Sequence, residues 1–131
     1  MTKLPLPHPV HLIPSEDEPE IILDKAKKIL RFSGTSIPED PDKLFRPVMN
    51  WVKQYVKSPN PETIIEFMME YYNSSTARFF VEMLEKFEEL NENNGNVRII
   101  WQCRKDDVVM QERGEDLMAI IQLPFEFVTC D

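Results

Sequence analysis

Glycine is scarce in this 131-residue chain, and the three present, Gly34, Gly95 and Gly114, stand far apart. No glycine-rich phosphate loop or dinucleotide fingerprint can be assembled from them, which excludes nucleotide binding by either route. Histidine is scarcer: His8 and His11 both fall in a segment broken by Pro5, Pro7, Pro9 and Pro14. They cannot present two ligands from one helix face, and no Cys-x-x-Cys accompanies them, so no metal site is expected. The two cysteines, Cys103 and Cys130, read as reduced thiols of a cytoplasmic protein. No run approaches the ~20 apolar residues of a membrane span, and the N-terminus has no apolar signal core. Basic residues are outnumbered, with Lys+Arg 15 against Asp+Glu 23 and a formal charge of −8. That balance opposes contact with nucleic-acid backbones and with anionic membranes. No cofactor is expected. The carboxylates Asp106, Asp107, Glu112, Glu115 and Asp116 could pair as acid and base, but a charge run of this kind reads as a solvated helix face rather than an active site.

The residues that are present suffice for one domain with a hydrophobic core of its own. Residues 1–19 are Pro-rich and then acidic, which predicts an extended or mobile segment ahead of a single domain over 20–131. Glu20–Asp24 and Lys28–Ser33 read as a hairpin joined by a Lys-rich turn, followed by a loop from Gly34 to Pro41. Leu44, Val48, Trp51 and Tyr55 then recur at helical spacing, with Pro47 expected to kink that helix or restart it near Arg46. Ile64–Tyr71 is apolar and rich in β-formers. Ala77, Phe80, Leu84 and Phe87 mark a second helix running to about Leu90, with Gly95 expected to supply the positive φ beyond its end. Val97–Cys103 alternates as a strand, Asp106–Ile120 reads as a weaker helix with Gly114 inside it, and Leu123–Val128 as a last strand. Pro124 places that strand at an edge or stands at its beginning. Alternating strands and helices predict an α/β fold, a mixed sheet with helices packed predominantly on one side and Trp51 and Phe80 buried between them.

One stretch carries chemistry. Tyr71-Tyr72-Asn73-Ser74-Ser75-Thr76-Ala77-Arg78 places a cluster of hydroxyls where an apolar strand turns into a helix. Such residues can act simply as caps, accepting hydrogen bonds from the first unpaired helix amides. Alternatively one hydroxyl accepts a phosphoryl group, which adds about −1.5 to −2 charge at the positive end of the helix.

Together with Gly34-Thr35-Ser36-Ile37-Pro38-Glu39-Asp40, Leu44-Phe45-x-Pro47-x-x-x-Trp51, Trp101, and Glu112-x-Gly114-Glu115-Asp116 followed by Leu123-Pro124-Phe125, this stretch resembles the SiaC family of bacterial regulatory phosphoproteins. The resemblance covers about Glu20 to Val128 and rests on the order and spacing of the motifs. It implies a fold similar to the STAS domains of anti-sigma-factor antagonists and a protein that is not an enzyme. It further implies partner switching by reversible phosphorylation. A Ser/Thr protein kinase modifies the hydroxyl after the junction asparagine and a metal-dependent Ser/Thr phosphatase removes the phosphate. The unmodified protein binds and activates a diguanylate cyclase, within cyclic-di-GMP signalling and biofilm regulation. Carried onto this chain, the phosphoacceptor is Ser74, where the family usually has threonine, supported by Asn73, Ser75, Thr76 and Arg78, the last where lysine is usual. Ile37 and Asp40 stand where an aromatic and an asparagine are usual. Phe79, at the border of the polar helix face and one turn from the cluster, is the expected anchor of a partner surface. The alternative function is a STAS-like binding module with a constitutive protein or small-molecule ligand, in which the hydroxyls only cap.

Overall fold

A computed structural model describes residues 7–130. The elements follow in the order β1 (Val10–Leu12), β2 (Glu20–Asp24), β3 (Ile29–Ser36), α1 (Pro41–Tyr55), β4 (Thr63–Tyr72), α2 (Ser74–Glu92), β5 (Val97–Arg104), α3 (Val108–Ile120) and β6 (Phe125–Cys130). The six strands form one sheet in sequence order. β1, β2 and β3 pair antiparallel, whereas β3, β4, β5 and β6 pair parallel, so each of the last three connections is a helical crossover. Crossovers of one hand that all step in one direction must lie on one face of the sheet, and the right hand is the rule. The burial pattern agrees. Ile65, Phe67 and Met69 of β4 and Val97, Ile99, Trp101 and Cys103 of β5 are buried beneath the helices, while the residues between them are half-buried or exposed. The expected mixed sheet with helices on one side is therefore present.

Between the layers Phe32, Phe67, Phe80, Tyr72 and Trp101 form a continuous aromatic set, with ring centroids 5.0 Å apart for Phe67 and Phe80 and 5.1 Å for Tyr72 and Phe80. Trp51 and Phe80 are buried, as expected. Each such side chain contributes about 1.5–3 kcal/mol by leaving water, which makes this layer the main source of stability. The opposite face carries cross-strand pairs such as Arg31 Nε to Glu66 Oε2 at 2.8 Å.

Several local details differ from the sequence reading. Part of the segment before residue 20 is a strand: Val10–Leu12 pairs with Ile21–Leu23, and His11 Nε2 lies 2.9 Å from Glu20 Oε2. Residues 1–6 of that segment lie outside the described residues. β3 continues through Thr35 and Ser36, because Gly34 at φ 96 accommodates a register shift that a residue with a Cβ would resist. Opposite it, β4 carries one extra residue: Gly34 pairs with Met69 but Thr35 pairs with Tyr71, leaving Glu70 as a bulge. The bulge resets the alternation, so Tyr72 rather than Tyr71 enters the core. α1 runs uninterrupted through Pro47. Pro47 lies on the exposed side, where the carbonyl left without an N–H partner can turn to water. Beyond α2 it is Asn94, at φ 69, that adopts the left-handed conformation, not Gly95. Gly95 is needed for a different reason: its N–H donates to Leu90 O at 2.9 Å, and a Cβ there would stand 2.5 Å from the same oxygen.

Candidate functional site

The hydroxyl cluster occupies the first turn of α2, at the C-terminal end of β4. Asn73 is the N-cap: its Oδ1 accepts from the Thr76 N–H at 3.1 Å and from the Ser75 hydroxyl at 2.9 Å. Its own N–H donates to Ser36 O at 3.1 Å, which fastens the cap to the end of β3. Thr76 is fully buried. Its hydroxyl donates to Ser36 O at 3.2 Å and pairs with Ser36 Oγ at 2.8 Å, so the two side chains satisfy one another beneath the helix start. The carbonyl of Ser36 thus receives both the cap's amide and the third hydroxyl. On its other side, Ile37 N donates to Asp17 O at 2.8 Å.

Ser74 differs from its neighbours. It is exposed, and its hydroxyl has no hydrogen-bond partner among the described residues. The amides of Ser74 and Ser75 head the helix, where no intrahelical acceptor exists for them, and the positive end of the helix dipole lies there. No histidine or carboxylate is hydrogen-bonded to the Ser74 hydroxyl among the described residues. Arg78 follows one turn later on the same stripe, exposed and in no ion pair among the described residues.

Phe79 requires a correction. It is only 7% exposed and stacks on Phe45 of α1 with ring centroids 4.1 Å apart and planes 7° from parallel. A helical wheel of α2 alone sets Phe79 at the polar border, but α1 packs over that border and covers it. Phe79 therefore joins the core between α1 and α2 and is no exposed anchor.

Two neighbours of the site have no role that the sequence alone assigns. Tyr72, at the end of β4, is buried, and that burial pushes its phenol up to about 12, with the Arg113 guanidinium opposing the rise. Arg113, from α3, stands with its Cζ 4.8 Å from the Tyr72 ring and 5.5 Å from the ring of exposed Tyr71. Nothing in the local pattern announces Arg113. It lies 39 positions beyond Ser74 in a charge-rich helix, and only the sheet order brings α3 to this end of β4. Among the described residues no group of three or more His, Cys, Asp or Glu is arranged to hold a metal ion. Among the described residues no helix is long and apolar enough to cross a membrane. The Cys103 thiol is pushed up, first by burial and then by Asp107 and Cys130, and both cysteines are free.

Comparison with known proteins agrees with this architecture. An uncharacterised protein of Pseudomonas aeruginosa strain UCBPP-PA14 is 22% identical over 116 residues, spanning 88% of this chain and 92% of its own. The crystal structure of apo-SiaC from Pseudomonas aeruginosa superposes with a TM-score of 0.84 at 22% identity, covering 93% of this chain and 99% of that one. SiaC in its complex with the diguanylate cyclase SiaD, of which it is the activator, superposes with a TM-score of 0.87 at 21% identity, covering 92% and 99%. At such identities the structural likeness establishes the fold. The family model described as SiaC family regulatory phosphoprotein matches residues 12–130, from β1 to the end of β6. By that match the chain belongs to the SiaC family of regulatory phosphoproteins.

Proposed function

We propose that this protein is a non-enzymatic cytoplasmic regulator switched by reversible phosphorylation of Ser74, whose unmodified form binds and regulates an effector, by family likeness a diguanylate cyclase. A Ser/Thr kinase and a metal-dependent Ser/Thr phosphatase set its state. The observation that carries this reading is the sorting of three adjacent hydroxyls. Thr76 is sealed beneath the helix, Ser75 is engaged with the cap, and Ser74 alone is exposed and unbonded. A kinase must bring a γ-phosphate in line with the acceptor oxygen, and only Ser74 offers that approach. Because no base among the described residues is hydrogen-bonded to Ser74, the hydroxyl is suited to be acted upon by another protein rather than to attack a substrate itself. The phosphate would lie beside free helix amides and Arg78, which accommodates the charge without unfolding the domain. The switch then acts at the surface: a partner that seats a neutral hydroxyl, or presents carboxylates there, is expelled by desolvation and like-charge repulsion.

The test is intact-mass analysis of the protein from its own cells, followed by incubation with candidate Ser/Thr kinases of the same organism and ATP, and peptide mapping. The expected result is one added phosphate on Ser74, abolished in Ser74→Ala. Undiminished labelling of Ser74→Ala would move the site to another residue. Absence of any phosphorylated form, in cells and with these kinases, would leave the constitutive binding module.

A further inference from the structure

The topology brings a second cation to the phosphoacceptor's end of the molecule. α2 and α3 both leave the C-terminal ends of parallel strands, β4 and β5, and return to the starts of the next, so they run in the same direction with their N-termini at one end of the sheet. A groove between them is lined by Ala77 and Val81 of α2, by Arg113, Asp116, Leu117 and Ile120 of α3, and by Tyr72. Ala77 and Val81 stand three and seven residues beyond Ser74, on the helical stripe that Ser74 heads. Side chains on a helix lean toward its N-terminus, so Arg113 leans toward the end of the groove where Ser74 lies, and its guanidinium is found over Tyr71 and Tyr72, the residues immediately before the cap. It makes no ion pair among the described residues, although Asp116 stands one turn away on the same helix.

The geometry points to Arg113 as the residue that reads the phosphate: in the unmodified protein its guanidinium rests on the two tyrosine rings, and when Ser74 is phosphorylated it leaves them to hold the phosphate across the α2–α3 groove. This rests on the phosphorylation reading above. Of the two rings only that of Tyr71 is exposed, where a cation is weakly held, while that of Tyr72 is buried and holds it more firmly; against both, the planar fork of the guanidinium matches phosphate oxygens in a bidentate, charge-assisted pair. The exchange therefore runs toward the phosphate once it is present. Arg78, on the same helix as Ser74, adds its charge along α2, whereas Arg113 ties α2 to α3. Phosphorylation would thus alter two things at once, neutralising a cation and baring the ring of Tyr71.

The experiment installs phosphoserine at position 74 of the full chain by genetic encoding, so that no kinase is needed, and titrates it by 31P NMR. An ordinary phosphoserine has a second pKa near 6. Arg113 should hold it lower, and Arg113→Gln should raise the measured value by about 0.5–1 unit, with Arg113→Lys between the two. The ring resonances of Tyr71 and Tyr72 should move between the unmodified and phosphorylated wild type, and much less in Arg113→Gln. A 31P titration unchanged by Arg113→Gln and Arg113→Lys, or tyrosine resonances indifferent to the phosphate, would overturn the assignment. Arg113→Lys retains a cation and a packed stem, so it decides the matter if Arg113→Gln fails to fold. Mass analysis of the natural protein tests the switch separately, so loss of the Arg113 contact and absence of phosphorylation are distinct results.

Discussion

Gly114→Ala is a substitution for which two physical effects predict opposite signs. In the interior of α3 an isolated helix would gain about 1 kcal/mol from alanine. In the folded protein, however, a Cβ at this position would stand 2.6 Å from Trp101 Nε1, 2.7 Å from Trp101 Cδ1 and 2.8 Å from Phe127 Cε1. Phe127 is at the sheet edge and partly exposed, so it can swing away. Trp101 cannot: it is buried, wedged against Phe67 and Tyr72, and its Nε1–H donates to Met110 O at 2.9 Å. Overpacking costs about 1–3 kcal/mol, and displacing the indole strands a buried donor for about 1–3 more. After the helix gain, the net loss is about 3 kcal/mol, and for a chain of this size the midpoint of thermal unfolding should fall by about 10 °C. Urea unfolding followed by far-UV circular dichroism gives the free energy. Tryptophan fluorescence in a Trp51→Phe background reports the shift of Trp101 alone. A Gly114→Ala protein as stable as the parent, or more stable by about 1 kcal/mol, would refute the close packing of α3 on β5 and leave only the intrinsic helix preference.

Three further outcomes follow from the same structure. Asn73→Ala should destabilise by about 0.5–2 kcal/mol, because the cap resides in the asparagine, whereas Ser74→Ala should stay within about 0.5 kcal/mol in the same chemical denaturation. Trp101→Phe should cost about 1–3 kcal/mol more than Trp51→Phe by urea midpoint, since Trp101 forfeits a buried hydrogen bond and Trp51 Nε1 is a buried donor with no partner to lose among the described residues. The phenol of Tyr72 lies near 12 in the folded protein against an ordinary 10. Unfolding therefore favours its ionisation, and the stability it holds is intact below pH 10 and falls away between about pH 10 and 12, by on the order of 2–3 kcal/mol. Tyr72→Phe should flatten that part of the stability profile, and a wild-type profile identical to the mutant's above pH 10 would contradict the raised value.

Local signals in the sequence suffice where one element decides the outcome. The start of α2 at the Asn-Ser-Ser-Thr cluster, the burial of Trp51 and Phe80, and the placement of Pro124 just before an edge strand all follow from capping, periodicity and the missing proline amide. Legibility ends where two distant segments decide together. Phe79 is covered by Phe45, 34 positions earlier, and no wheel of one helix contains that contact. The strand at Val10–Leu12 is flanked by prolines, and its pairing with β2 supplies what its own sequence does not suggest. Glu70 gives no sign of being a bulge, because Tyr71 and Tyr72 are equally fitted for the core and only the register against Gly34 chooses between them. At the site, the cluster was legible as a capped helix start with Ser74 exposed in it, whereas the structure assigns the cap to Asn73 in particular, and Ser36 and Arg113 come from elsewhere in the chain.

That single surplus residue in β4 governs the orientation of everything after it. Successive side chains of a strand point to opposite faces, so one uncounted residue turns the chain through half a period before it enters α2. With strict pairing, Tyr71 would lie where Tyr72 lies, the cap would meet the end of β3 one residue out of phase, and the hydroxyl sealed against Ser36 would not be that of Thr76. The choice of which serine faces outward is therefore written upstream of the serines themselves, in the mismatch between Gly34-Thr35 and Met69-Glu70-Tyr71. The sheet acts as a ratchet with one skipped tooth, and the skip sets the address of the exposed hydroxyl.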